Sequence, residues 1–295
     1  MGVFDFLRGG KLQPIWRYTA RGVIWRVTPA PGAKLVGEER DIEKKETRFF
    51  CLNQLTGKVL WDRRTFDEKW WIGVEAVHRD VVFVHHFATP DLPEHKAIIA
   101  VDLPTGKELW SNEALTFIVA LDDSVFASKK TLEGKVFIEL HFRTGTMQRS
   151  WGTDEQIVQE AKNRAATQVE NDTMELPVPL DQFSRDNADL VAMVERHLSL
   201  EKITGPIGVL KYGTVIAISF HENVGTGEKT LLNNILTLLD KRTGTAIFNE
   251  ILNMNSPAIA PESFFAQHGM LYFIKELKTL TALKIPDPSS TPKSS

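Results

Sequence analysis

The stretch CLNQLTGKVLW, residues 51–61, returns as AVDLPTGKELW at 100–110, and this repetition restricts the fold more than any other feature. LHFRTGTMQRSW (140–151) and LLDKRTGTAIF (238–248) keep the same skeleton. Each copy has an apolar run, a polar turn ending in Thr-Gly, and a short second run closing on a large aromatic. Gly57, Gly106, Gly145 and Gly244 mark the turns, where glycine supplies the positive φ of a tight hairpin. Asn53, Asp102 and Asp240 precede the Thr-Gly pairs, so that a short acceptor can bond the turn's own amides. His141 takes that place in the third copy.

Upstream of the turns lie strand-like runs such as VVFVHHF (81–87) and VIAISFH (215–221), rich in β-branched and aromatic residues. Each unit reads as four strands in about 40 to 50 residues, the size of one β-propeller blade. Trp61, Trp110, Trp151 and Phe248 close the units, and a large aromatic burying roughly 150–250 Å² can wedge neighbouring sheets at a fixed spacing. The last unit, 257–286, lacks a closing strand, while KLQPIWRYT (11–19) supplies one with Trp16 in the closing position. The chain is therefore expected to be all-β: a five-bladed β-propeller closed by its N-terminal strand. Its blades fall at 20–62, 69–112, 113–151, 204–251 and 257–286 joined with 12–18.

From Trp151 to Phe248 the gap is about twice that elsewhere, room for a sixth blade. Residues 153–200 instead carry helical periodicity. TDEQIVQEAKNRAATQVE opens with a capping box, Thr153 to Gln156, and its apolar residues Ile157, Val158, Ala161, Ala165 and Val169 form one stripe. DNADLVAMVERHLSL repeats the pattern with Leu190, Val194 and Leu198, after a Pro-bearing link MELPVPLDQF. The expected organisation is an N-terminal segment (1–10), the propeller (11–286) with a helical insertion (152–203) between blades three and four, and a disordered tail (287–295).

These repeats resemble the quinoprotein-type (PQQ-like) propeller repeat, whose units end in Asp-x-x-Thr-Gly-x-x-x-Trp; Asp102, Thr105, Gly106 and Trp110 match it in full. The overall plan also resembles an uncharacterised bacterial family known as a domain of unknown function. The first resemblance implies a propeller fold and carries no chemistry. The export signal and the adjacent-cysteine pair that accompany quinone binding in that family are not found here, so no cofactor is expected.

Composition excludes several function classes. A net charge of −3 supplies no field for nucleic acid. Cys51, the single cysteine of the 295 residues, rules out an intramolecular disulfide and a cysteine-based zinc cluster, and is expected to be a buried, inert thiol. No run reaches the length of a transmembrane helix, and a cytoplasmic location is expected. Residues 1–10 match neither a secretory signal nor a myristoylation site.

The chain's longer loops, including GEERDIEKKET (37–47) and HHFATPDLPEHK (85–96), and the helical insertion fall on one expected face of the ring. The carboxylates of GEERDIEKKE alternate with bases and read as a solvated hairpin tip. HENVGTGEK (221–229) fails as a phosphate loop because Glu228 stands where glycine is needed. His85, His86 and His95 share one hairpin, and adjacent His85 and His86 should point to opposite sheet faces, so no metal site is expected. The binding candidates are His86, His95, His221 and Glu222; no catalytic residue is assigned. The expected function is a non-enzymatic scaffold that binds another protein through the loop face and helical insertion. The alternative is small-molecule binding or catalysis at a central channel.

Overall fold

In a computed structural model of the chain, the structure describes residues 12–89, 92–168, 174–225, 230–260 and 264–286. The expectations for residues 1–10 and 287–295 lie outside the described residues. The chain divides into two compact units, one of Arg21–Asp172 and one of Met1–Ala20 with Thr173–Ser295.

The first strand, β1 (Pro14–Thr19), belongs to the second of these units. In the Arg21–Asp172 unit, β2 (Val23–Ala30), β3 (Lys34–Asp41), β4 (Glu46–Asn53) and β5 (Val59–Arg64) form an antiparallel sheet in chain order. The strands β6 (Ile72–His78), β7 (Val81–Thr89), β8 (Leu92–Asp102) and β9 (Glu108–Asn112) follow. Next come β10 (Thr116–Leu121), β11 (Ser124–Thr131), β12 (Gly134–His141) and β13 (Met147–Gly152). All eight form one sheet, because β10 pairs with β8 in parallel at Thr116 and Ala97. β-Branched and aromatic residues fill both faces of β7. Val82 and Val84 pack with Val36, Phe49 and Cys51, while Val81 and Phe83 pack with Val125, Ala127 and Leu140. Helix α1 (Glu155–Thr167) lays Ile157, Ala161 and Ala165 against Val119, Leu121 and Phe126. Its N-cap is Asp154, whose carboxylate accepts the Gln156 amide at 3.0 Å, so the expected Thr153 capping box moves by one residue. A carboxylate at that position also complements the helix dipole.

In the other unit, β14 (Val178–Pro179) precedes α2 (Leu180–Asp186) and α3 (Ala188–Glu195). The strands β15 (Gly208–Tyr212), β16 (Val215–Asn223), β17 (Leu232–Asp240) and β18 (Ala246–Ser256) complete a five-stranded sheet with β14. Part of the stretch read as a link is therefore helical, and Phe183 and Val194 bury against Ile216, Ile218 and Leu239. Finally β19 (Phe264–Gln267), β20 (Met270–Lys275) and β21 (Thr279–Lys284) form a sheet that β1 extends, with Trp16 opposite Ala282.

The protein is mostly β, but its sheets are open, with four to eight strands and none closed, which overturns the expected five-bladed closed propeller. The physical reason is that a sequence period counts hairpins and does not decide how sheets join. The second and third repeats, counted as separate sheets, fuse through the β8–β10 contact.

The repeated turns have a shared packing purpose. Asp102 Oδ2 accepts the Thr105 amide at 3.2 Å and its hydroxyl at 2.5 Å, and Asn53 Oδ1 does the same for Thr56 at 2.9 and 2.8 Å. Gly106 (φ +69°) and Gly145 (φ +67°) leave room for the aromatic of the preceding copy. A methyl group at Gly106 would fall 2.7 Å from the Trp61 ring, and one at Gly145 would fall 2.6 Å from Trp110. Trp61 Nε1 donates to the Leu103 carbonyl at 2.8 Å, and Trp110 Nε1 to the Phe142 carbonyl at 3.0 Å. Each tryptophan thus covers the next turn and satisfies its own N–H there. Trp151 departs from the pattern: Nε1 donates to Glu139 within its own sheet, with Arg149 over the ring. At Gly244 the neighbour is Met193 of α3, and Phe248 packs on Phe273 at 5.7 Å. Trp16 is buried beside Tyr272 at 5.9 Å.

Candidate functional site

The strongest departure from the sequence expectation lies on β3. Glu38, Glu39 and Arg40 are 2%, 3% and 7% exposed, so this part of GEERDIEKKE is not a solvated tip. Strand β6 ends its sheet and presents unpaired backbone groups, which must be satisfied when buried. Side chains do this. Glu38 Oε2 accepts the Val74 amide at 3.3 Å, Arg26 Nη1 donates to the Val74 carbonyl at 3.0 Å, and Arg40 Nη2 donates to the Ile72 carbonyl at 3.3 Å. Arg40 also holds Glu38 Oε1 through Nε at 3.0 Å and Nη2 at 2.6 Å. Glu39 faces the other way, accepting the Arg21 amide at 3.0 Å and standing 3.5 Å from Arg48.

This network holds an aromatic surface in place. The Arg40 guanidinium lies 5.0 Å from the Trp25 ring and 5.3 Å from Trp70, and Lys45 Nζ is 5.1 Å from Trp70. Glu68 Oε1 accepts the amides of Trp70 and Trp71, both at 2.9 Å. Burial raises the Glu68 pKa, but the two amides, together with the neighbouring His86 and Lys96, hold the carboxyl below the usual range. Trp25 and Trp71 remain 61% and 37% exposed.

Beside this surface, three chemistry-bearing side chains meet on one face of the neighbouring sheet. Gly73 stands opposite His85, and Phe87 opposite His95, so the face carries Gly73, His85, Phe87 and His95 together. Glu75 joins them from a β-bulge between Val74 and Ala76. A second irregularity lies between Val84 and His86 on the β8 side, where Ala97 takes a φ of +62°. Bulges of this kind re-aim side chains. His95 Nδ1 donates to Glu75 Oε2 at 2.7 Å. His85 Nδ1 is 3.0 Å from the same oxygen, within ion-pair range but out of line for a hydrogen bond. The two imidazoles stack at 3.5 Å and 10°, and Phe87 meets both edge-on. Burial raises the Glu75 pKa, yet the two imidazoles overcome this and hold the carboxylate below its ordinary value. Oxygen and nitrogen donors of Glu75, His85 and His95 lie within 4.8 Å of one another, near enough to share a cation.

The four residues proposed from sequence do not converge. His86 points away from His85, with Nδ1 3.5 Å from Glu113 Oε2, while His95 pairs with His85 and Glu75. His221 and Glu222 belong to the other unit. His221 is buried, its Nε2 accepts the Ala260 amide at 3.0 Å, and burial lowers its pKa, favouring the neutral ring. Glu222 is half-buried and bridges Ile203 through its backbone. Glu75 escaped the sequence reading because it sits inside IGVEAV, an ordinary strand. A carboxylate there, two residues after a glycine, was the available signal. Cys51 is fully buried, and burial pushes its thiol up to about 12, an inert group.

Residues 31–110 match the model of a family described as a domain of unknown function (DUF4905). No curated protein matches the sequence. Among solved structures, the bifunctional GH43-CE of Bacteroides eggerthii is 10% identical, with a TM-score of 0.27, over 95% of this chain and 35% of that one. An acylaminoacyl peptidase of Pyrococcus horikoshii is 10% identical with a TM-score of 0.30, over 86% of this chain and 36% of that one. The hydrazine synthase of Kuenenia stuttgartiensis is 11% identical with a TM-score of 0.26, over 84% and 64%. The chain thus spans about a third of the first two and under two thirds of the third. At these scores the likenesses support no activity. Among the described residues no helix is long and apolar enough to cross a membrane. The chain resembles an uncharacterised domain family over residues 31–110, and no family match supports the quinoprotein-type identity.

Proposed function

We propose that the protein is a non-enzymatic scaffold that binds another protein. In the Arg21–Asp172 unit, the binding surface is the tip formed by the start of β2, the β3–β4 turn and the β5–β6 connection. The observation that carries this is an exposed tryptophan, Trp25, beside a guanidinium immobilised by a buried carboxylate. Tryptophan and arginine are enriched among residues that dominate binding energy, and a pre-ordered arginine loses little entropy on association. The partner segment is acidic: exposed Arg21, Lys44, Lys45 and Lys69 outnumber exposed Glu43 and Asp67 around the aromatics.

The test is selection of displayed random peptides on the intact protein, followed by binding to Trp25→Ala and Lys45→Glu variants. Acidic peptides should be enriched, and Trp25→Ala should weaken them by more than about tenfold, the weight of a binding hot spot. Because Trp25 is exposed, its removal should leave stability within about 0.5 kcal/mol. Peptides without acidic character, or binding indifferent to both variants, would refute this reading. A photo-crosslinker at Gln159 asks whether the helical insertion shares the contact.

A further inference from the structure

We propose that Glu75, His85 and His95 form a binding site for one transition-metal dication of the zinc class. The proposal is independent of the partner-binding surface. Two imidazoles and one carboxylate are a donor set that zinc accepts while keeping a position open for water or a ligand. The donors come from three adjacent strands of one sheet, with Glu75 at the bulge of β6 and its carboxylate close to both rings.

His85 supplies an independent sign. It is 3% exposed, and neither ring nitrogen has a hydrogen-bond partner among the described residues. A buried polar nitrogen without a partner is costly, and its place beside Glu75 Oε2 is where a cation would repay it. Glu38 brings a second carboxylate to the neighbourhood of Gly73 and His85. A methyl group built on Gly73 would sit 3.3 Å from Glu38 Oε2 and 3.5 Å from His85 Nε2. The Thr116 hydroxyl donates to the His95 carbonyl at 3.3 Å and anchors the third ligand's backbone.

The stacked rings show how the ion would enter. A zinc–nitrogen bond of about 2.0–2.1 Å runs in the imidazole plane, so parallel rings cannot both hold one ion. One ring must turn. The His85 side chain is 4% exposed and the His95 side chain 32%, so His85 is the fixed ligand and His95 the moving one. For His95 to ligate through Nδ1, the neutral ring would shift its proton from Nδ1 to Nε2 through solvent, and zinc would take that proton's place beside Glu75 Oε2.

The experiment is zinc chloride titration of chelator-treated full-length protein by calorimetry, with cobalt(II) absorption as a second readout of ligand number. One equivalent should bind with a Kd of about 1 µM or tighter. The variants His95→Ala and Glu75→Gln should each weaken it by at least about tenfold, while His86→Ala should leave it unchanged. If His85→Ala does not fold, His95→Ala and Glu75→Gln still decide the question, since both alter more accessible side chains and circular dichroism reports their folding. Absence of saturable binding, or full affinity in folded His95→Ala and Glu75→Gln, would overturn the site. Loss of affinity in His86→Ala alone would place the ion elsewhere and overturn it equally.

Discussion

Residues 37–48 and residues 100–110 belong to the same unit and teach opposite lessons. The second stretch does what its composition says: Asp102 bonds its own turn, Gly106 bends it, and Trp110 covers the following turn. The first stretch, Gly-Glu-Glu-Arg-Asp, is as polar as a surface loop and yet buries three charges in succession. The difference is the range of the partner. The turn's acceptors and donors lie within a few residues, whereas Glu38 and Arg40 serve the backbone of β6, some thirty residues away.

The comparison can be broken at three points. The largest effect is expected for Glu38→Ala. Removing the carboxylate strands Arg40 in a buried position and frees the Val74 amide, so unfolding in urea should show a loss of about 3–5 kcal/mol. A loss under about 1 kcal/mol would mean that Arg40 reaches water and that this segment resembles the loop it was read as.

Next comes Gly106→Ala. A left-handed conformation costs a residue with a side chain about 1–2 kcal/mol, and displacement of Trp61 adds to that. Gly269 has φ +71° with nothing within 4 Å of an added methyl group, so Gly269→Ala isolates the backbone share. Equal losses in the two variants would show that the tryptophan yields freely and that the repeat is only a turn.

The smallest effect is one of pH. Arg143 Nη2 donates to Asp102 Oδ1 at 2.8 Å, tying the third turn to the second. Burial raises the Asp102 pKa, but bonds from Thr105 and Arg143 prevail and lower it. A depressed carboxyl stabilises the fold fully above its unfolded value near about 4, and the contribution disappears as pH falls through the lower folded value. Acid titration of wild type against Asp102→Asn should show a steeper loss of stability in the wild type. Parallel curves would remove Asp102 from the account.

Much of the architecture was legible at the level of hairpins. The Thr-Gly turns, the closing aromatics and the pairing partner of Trp16 all follow from residue type and spacing. The joining of sheets was not, because the Thr116–Ala97 contact depends on a bulge that no local pattern announces. The candidate site divides in the same way. Alternation placed His85 and His86 on opposite faces, and the structure agrees. Glu75 was hidden because a lone carboxylate inside an ordinary strand does not announce which histidines strand pairing brings beside it.

What the amino-acid order determines by itself is where this chain turns, which runs extend, and which aromatic covers which glycine. These depend on interactions spanning a turn or one hairpin, and residue identity is enough to specify them. Only the tertiary structure decides that the sheets stay open, that a charged run is buried, and that a glutamate and two histidines meet. Each of those depends on backbone groups left unpaired at a strand edge or a bulge. The partner that satisfies such a group is chosen by three-dimensional proximity, which no local pattern of residues encodes.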